Sequence, residues 1–319
     1  MNDERNGRNS PGGPALRDYL ALMRLPNVFT SMADAAMGFL FVRALAGAAD
    51  ALLLAILLVA SSLLYLSGVV LNDFFDLELD SRERPDRPLP SGRISPRAAL
   101  RLGLALMFSG ALLGCAASFF VGSVVPGAIA VILAISILIY DAGLKFTAIG
   151  PVLMGSCRMF NVLLGMSAAA APFAAEHWVV AGAVGLYITG ITWFARTENV
   201  RSSRVQLALS TAVIMSGIGL LSSLPHWIDP LRLTPLLLEQ PQRWWLLMLI
   251  LGMLIGWRCL RALLAPSPAQ VQAAVAQGIL SLIILDAVAC FAVRGLFWSV
   301  IILLLLVPAM YFGKWIEVT

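Results

Sequence analysis

From residue 25 onward the chain repeats one kind of segment: about 20 apolar residues in a row, enough to cross a hydrocarbon core of about 30 Å. Such segments run over 25–46, 51–71, 98–118, 121–140, 150–171, 178–196, 206–224, 243–263 and 271–292, with 296–313 as the candidate for a tenth. Backbone groups facing lipid must find their hydrogen bonds inside their own segment, so each is expected to be a helix. A hydrophobic fraction of 60%, a charged fraction of 13% and a mean hydropathy of +0.87 fit no ordinary soluble domain. The expected fold class is all-α: a polytopic membrane helix bundle of nine or ten transmembrane helices, forming one integral-membrane domain over 19–319. Residues 1–18 are polar and lack an apolar core with a cleavage site, so they are expected to be a disordered tail rather than a signal peptide.

A net charge of +4 invites a nucleic-acid reading, but the basic residues sit in short loops beside the spans and report topology instead. No nucleic acid is expected. With the N-terminus in the cytoplasm, the inner side receives Arg82, Arg84, Arg87, Arg93, Lys145, Arg201, Arg204, Arg258 and Arg261. This places the chain in an inner (cytoplasmic) membrane as a multi-pass protein. The four cysteines lie in apolar segments without metal-ligand spacing and read as small buried hydrophobes.

Between the second and third segments, residues 72–92 pack six acids and three arginines into NDFFDLELDSRERPDRPLPSG. On a helix Asn72, Asp73, Asp76 and Asp80 fall within one arc of about 100°. Carboxylates stacked so closely repel one another unless cations intervene, and hard oxygen donors suit Mg2+ shared with substrate phosphates. Pro85 and Pro88 then stop the helix and hold Arg84 and Arg87 in an extended segment able to fold back over the acids. Guanidinium forks match phosphate oxygens, so acids, metal and arginines together describe a diphosphate clamp. The plain alternative is a solvated loop.

This stretch resembles the first signature of the UbiA-type intramembrane prenyltransferases, NDxxDxxxD followed by RPxRPxxSG, without a gap. The resemblance implies a UbiA-like bundle of two pseudo-repeated halves around a central cavity. It also implies Mg2+-dependent transfer of an isoprenyl group from an isoprenyl diphosphate to a lipophilic acceptor, commonly aromatic. Asn72, Asp73, Asp76 and Asp80 would serve the metal, Asp76, Asp80 and Lys145 the chemistry, and Arg84 and Arg87 the diphosphate. Tyr140 and Lys145, in YDAGLK, match the family's Tyr and Lys at this place; a membrane-anchoring lysine is the other reading. The family's second acidic motif should follow the sixth segment, yet only Glu198 stands there, flanked by Arg196 and Arg201. Glu198 is a surviving metal ligand with the arginines binding substrate, or it merely balances them at the surface. The phrase GPVLMGSCRMFNVLLGMS is similar to the EboC-like branch of the family. That similarity and the altered second motif keep a second function open: a non-catalytic carrier for isoprenyl diphosphate or a membrane-lipid precursor.

Polar residues inside the spans complete the candidates. Arg24, Asn27, Thr30, Asp34 and Gly38 repeat at three and four, so one face of the first span should line a cavity or pack inside the bundle. Arg24 binds substrate there or snorkels to the surface. In the fifth span Arg158 and Asn161 lie one turn apart. Arg158 contacts substrate or pairs with Asp34 or Asp141, and Asn161 shares its face. Asp286 is expected to face the interior as one of a structural pair.

Overall fold

The computed structural model describes residues 16–169, 171–198 and 201–316, and among these there is no strand. The expected tail lies outside the described residues over 1–15. Its last three residues open a helix, α1 (Leu16–Leu22). There follow α2 (Val28–Val42), α3 (Ala48–Phe75), α4 (Leu77–Glu83), α5 (Pro96–Val121), α6 (Val125–Asp141) and α7 (Gly150–Met166). The second half contains α8 (Ala175–Ala195), α9 (Arg204–Ser222), α10 (Pro235–Glu239), α11 (Gln242–Leu264), α12 (Pro268–Arg294), α13 (Leu296–Leu303) and α14 (Leu306–Ile316).

All ten apolar segments are helical. Among the described residues eight are long and apolar enough to cross a membrane, and α6 and α7, at 17 residues each, are shorter. The protein is therefore an integral, multi-pass membrane protein. Proline at the first turn opens α5, α6, α7, α10 and α12, where the missing N–H is no loss. The tenth segment is broken at residues 304–305 into α13 and α14. Pro308 explains the break, because its ring collides with the carbonyl four residues earlier, that of Leu304.

The two halves use corresponding pairs: α3 packs most extensively on α5, and α8 on α9. Helices α2, α7, α8 and α12 form the interior, while α5, α11 and the α13–α14 pair turn broad apolar faces outward. Cys157, Cys259 and Cys290 are buried as expected, whereas Cys115 on α5 faces outward. A smaller apolar cluster of Leu22, Val70, Leu89, Ile94 and Ala99 fastens α1 and the loop after α4 to the ends of α3 and α5. That cluster fixes the charged stretch against the bundle.

Candidate active site

The charged stretch is built on the end of α3. Asp76 breaks the helix for one residue (φ −88°, ψ 4°) before α4 resumes, yet Asp76 N–H still donates to Asn72 O and Asp80 N–H to Asp76 O, at 2.9 and 2.8 Å. The four polar residues stay on one side, but as two pairs rather than one set. Asn72 Nδ2 donates to Asp76 Oδ2 at 3.1 Å, and Lys145 Nζ joins this pair, donating to Asn72 Oδ1 at 3.0 Å. The same ammonium lies 2.6 Å from Asp76 Oδ1, an ion pair whose angle is too poor for a hydrogen bond. Asp73 and Asp80 are bridged by Arg87, which lies 2.7 Å from Asp80 Oδ2 and 3.7 Å from Asp73 Oδ1. Arg24 closes on the same Asp73 oxygen.

Arg24 reaches Asp73 because the chain turns sharply between α1 and α2. It is the one described non-glycine residue with positive φ, at φ 43°, a conformation uncommon outside glycine. Outside the clamp Arg93, tied to Asp18 at 2.9 Å, anchors α1 to the loop after α4. Lys145 belongs to the α6–α7 loop, which is held in turn by Arg196, donating to the carbonyls of Lys145 and Thr147. Arg196 therefore braces the loop rather than facing the clamp. Arg84 is half-buried and close enough to Glu198 to influence its charge. Half-burial pushes the Glu198 carboxyl above its ordinary range, and Arg84 pulls it partly back. Arg201 is exposed and makes no ion pair among the described residues.

Behind the clamp lies a cavity of 350 Å³ reaching toward the middle of the bundle, lined by both halves. Arg24, Asn27, Asn72, Tyr140, Arg158 and Asn161 all line it; most of the remaining wall is apolar. Arg158 pairs with Asp34, not Asp141: its Nη1 donates to Asp34 Oδ2 and its Nη2 to Thr30 Oγ1, both at 2.9 Å. Asn161 Nδ2 donates to Asp34 Oδ2 at 3.0 Å and to Ser31 O at 2.9 Å, while its Oδ1 accepts from Ser61 Oγ at 2.6 Å. Asp286, fully buried on α12, has no hydrogen-bond partner for either carboxylate oxygen among the described residues.

One cavity residue, Tyr65, escaped the sequence reading. The Tyr65 ring lies 4.9 Å beneath the Arg158 guanidinium carbon, an attractive placement for a buried cation. Ser61, Tyr65, Gly68 and Asn72 share one face of α3 at spacings of four, three and four, a usable signal. Asp141, named from the sequence only as a partner for Arg158, is buried at 3% exposure and its Oδ2 has no partner among the described residues.

Among the described residues no three acidic, histidine or cysteine side chains converge into a ready-made metal site. The donors nevertheless fit Mg2+. They are carboxylates with an amide oxygen, Asp76 Oδ1 lacks an aligned donor, and a Mg2+ arriving on phosphates keeps several waters and needs only one or two protein carboxylates.

The sequence profile of the UbiA prenyltransferase family matches residues 32–283. The chain belongs to the UbiA prenyltransferase family. Similar proteins include the digeranylgeranylglyceryl phosphate synthases of Ignicoccus hospitalis, 35% identical over 50% of each chain, and of Saccharolobus solfataricus, 31% identical over 52% of this chain and 55% of that one. The chain thus spans about half the length of these curated relatives. Among solved structures, a digeranylgeranylglyceryl phosphate synthase superposes with a TM-score of 0.61 at 21% identity, covering 93% of this chain and 99% of that one. A UbiA homolog from Archaeoglobus fulgidus bound to GPP and Mg2+ gives 0.59 at 15% identity, covering 82% and 98%. At these identities the UbiA structures speak for the fold. The relatives' names do not point to an aromatic acceptor, against the expectation from the resemblance.

Proposed function

We propose that this chain transfers an isoprenyl group from an isoprenyl diphosphate to a lipophilic acceptor, with Mg2+ bound at the clamp. The observation that carries this reading is the paired clamp, Asn72–Asp76–Lys145 beside Asp73–Asp80–Arg87, set at the mouth of a largely apolar cavity. Charge neutralisation of the diphosphate oxygens is what Mg2+ supplies when bound at Asn72, Asp73, Asp76 and Asp80. Arg87 and Lys145 carry cations that can move from carboxylates to diphosphate oxygens, and Arg84 adds a third; there they favour departure of the leaving group. The cavity beyond receives the isoprenyl chain and keeps water from the allylic carbon. Tyr140 and Asn72 stand between the two regions.

The acceptor is proposed to approach along Arg24, Asn27 and Arg158. Two arginines there suit an acceptor with an anionic group, and the names of the relatives support a glyceryl phosphate lipid over an aromatic acid. Asn161, satisfied by Ser31, Ser61 and Asp34, holds Arg158 in place rather than contacting substrate. The clamp is proposed to face the cytoplasm.

The test uses purified full-length protein in nanodiscs, labelled isoprenyl diphosphate and Mg2+. Wild type should release diphosphate on addition of a glyceryl phosphate lipid, and Asp76→Asn should lower that rate by at least about 10²-fold. Saturable binding without release would instead support the carrier reading, and an unimpaired Asp76→Asn would remove the clamp from the mechanism.

A further inference from the structure

At the opposite end of the bundle from the clamp, α2 ends, α8 begins, and α12 gives way to α13. The spans stop here, at the level where lipid headgroups lie. A second cavity, of 850 Å³, opens among these ends and the 230–236 segment. Four hydrogen-bond donors line it: Arg232, Arg294, His177 and Thr234. Leu231 and Leu296 at its edge are 89% and 69% exposed.

Each polar group has bonding capacity left over. Arg232 Nη1 donates to Glu176 at 2.7 Å and its Nη2 to Phe41 O at 3.3 Å. Arg294 uses only Nε, on Leu40 O, and its two terminal amino groups find no partner among the described residues. Capping the last carbonyls of α2 therefore accounts for one of the five N–H groups of Arg294. His177, 6% exposed, accepts the Ala174 N–H on Nδ1 at 2.7 Å. Its neutral ring must then carry the proton on Nε2, which has no partner among the described residues. His177 is thus a buried donor lining the same cavity as two guanidiniums. Thr234, 8% exposed, has a buried hydroxyl without a partner, and its N–H on Ala292 O at 3.0 Å ties the 230–236 segment to α12.

Among the described residues no acid lines this cavity, and the acid that pairs with one of its arginines is Glu176, on Arg232. Two guanidiniums against one carboxylate leave a positive charge, and every spare group is a donor. Such a set calls for an oxyanion. We infer that this cavity is a second binding site, distinct from the clamp, for the phosphate of a membrane lipid in the opposite leaflet. The exposed leucines at its edge meet the acyl chains, and the volume falls within the usual range of small-molecule pockets.

The test uses the full chain in a non-ionic detergent, titrated with phosphatidylglycerol, diacylglycerol or inorganic phosphate, with retained lipid counted by native mass spectrometry. The tightest phosphatidylglycerol should bind at least tenfold more strongly than diacylglycerol, and Arg294→Gln should erase that difference. Arg258→Gln, at the other end of the bundle, should leave it intact. If Arg294→Gln does not fold, Thr234→Val replaces it and should weaken retention about threefold. Displacement of the lipid by inorganic phosphate at similar concentration would keep the oxyanion site and make the free ion its ligand. Equal retention of both lipids, or wild-type preference in every folded variant, would overturn the site and leave the arginines as caps of α2.

Discussion

Glu198 is where the residue scale decides most, since it is the lone carboxylate proposed to take the place of the family's second acidic motif. It is half-buried, its carboxyl is raised by that burial, and Arg84 from the first motif lies close by. A metal ligand must be deprotonated, so protons compete with Mg2+ at Glu198 at higher pH than at an ordinary carboxylate. Mg2+ affinity measured by titrated substrate binding should therefore fall as pH is lowered through the raised pKa. Glu198→Gln should lose that pH slope together with much of the affinity, and Glu198→Asp should keep part of both. Superimposable titrations for all three proteins would make Glu198 a surface partner of arginine, a pairing that contributes roughly 0–1 kcal/mol. The clamp was legible at this scale because its residues are neighbours on one helix. Arg158 and Asp34 lie 124 positions apart, and no local periodicity could choose between Asp34 and Asp141 as the partner.

At the scale of elements, the α2–α7 contact holds the cavity wall in register, and it depends on two glycines. A Cβ on Gly38 would lie 2.4 Å from Val162 O, and one on Gly165 would lie 2.2 Å from Ala35 O. The two backbones approach as only glycine allows, which small residues at membrane helix interfaces make possible. Because α2 carries Thr30 and Asp34 and α7 carries Arg158 and Asn161, pushing the helices apart also opens the polar network. Gly165→Val should cost about 1–3 kcal/mol, read as a lower unfolding midpoint in detergent. Gly219→Ala on α9, with nothing within 4 Å of the added carbon, should be neutral or stabilising by up to about 1 kcal/mol. An equal drop in both variants would show that the contact is not special. Sequence spacing put Gly38 on the inward face of the first span but did not show which helix it meets. It also missed the α13–α14 break, although Pro308 was in plain view.

The whole molecule has two chemically different ends, and that difference predicts its orientation. The clamp end carries Arg82, Arg84, Arg87, Arg93, Arg196, Arg201, Arg204, Arg258, Arg261 and Lys145 beside the spans. The opposite end has far fewer basic residues, and among them Arg43 and Arg232 are each paired with an acid. Retention of basic loops in the cytoplasm then puts the clamp inside. Two single-cysteine reporters distinguish the orientations: Asp86→Cys in the loop after α4 and Pro230→Cys at the far end. Asp86 is exposed and Pro230 opens the turn before α10, so neither substitution enters the packed core. In intact cells a membrane-impermeant maleimide should label the residue-230 reporter alone, and in inside-out vesicles the residue-86 reporter alone. The reversed pattern would put the diphosphate site on the outer face, where a cytoplasmic isoprenyl diphosphate could not reach it. Labelling of both from one side would contradict the bundle itself, because α3 and α5 flank residue 86 at one end while α9 and α11 bracket residue 230 at the other.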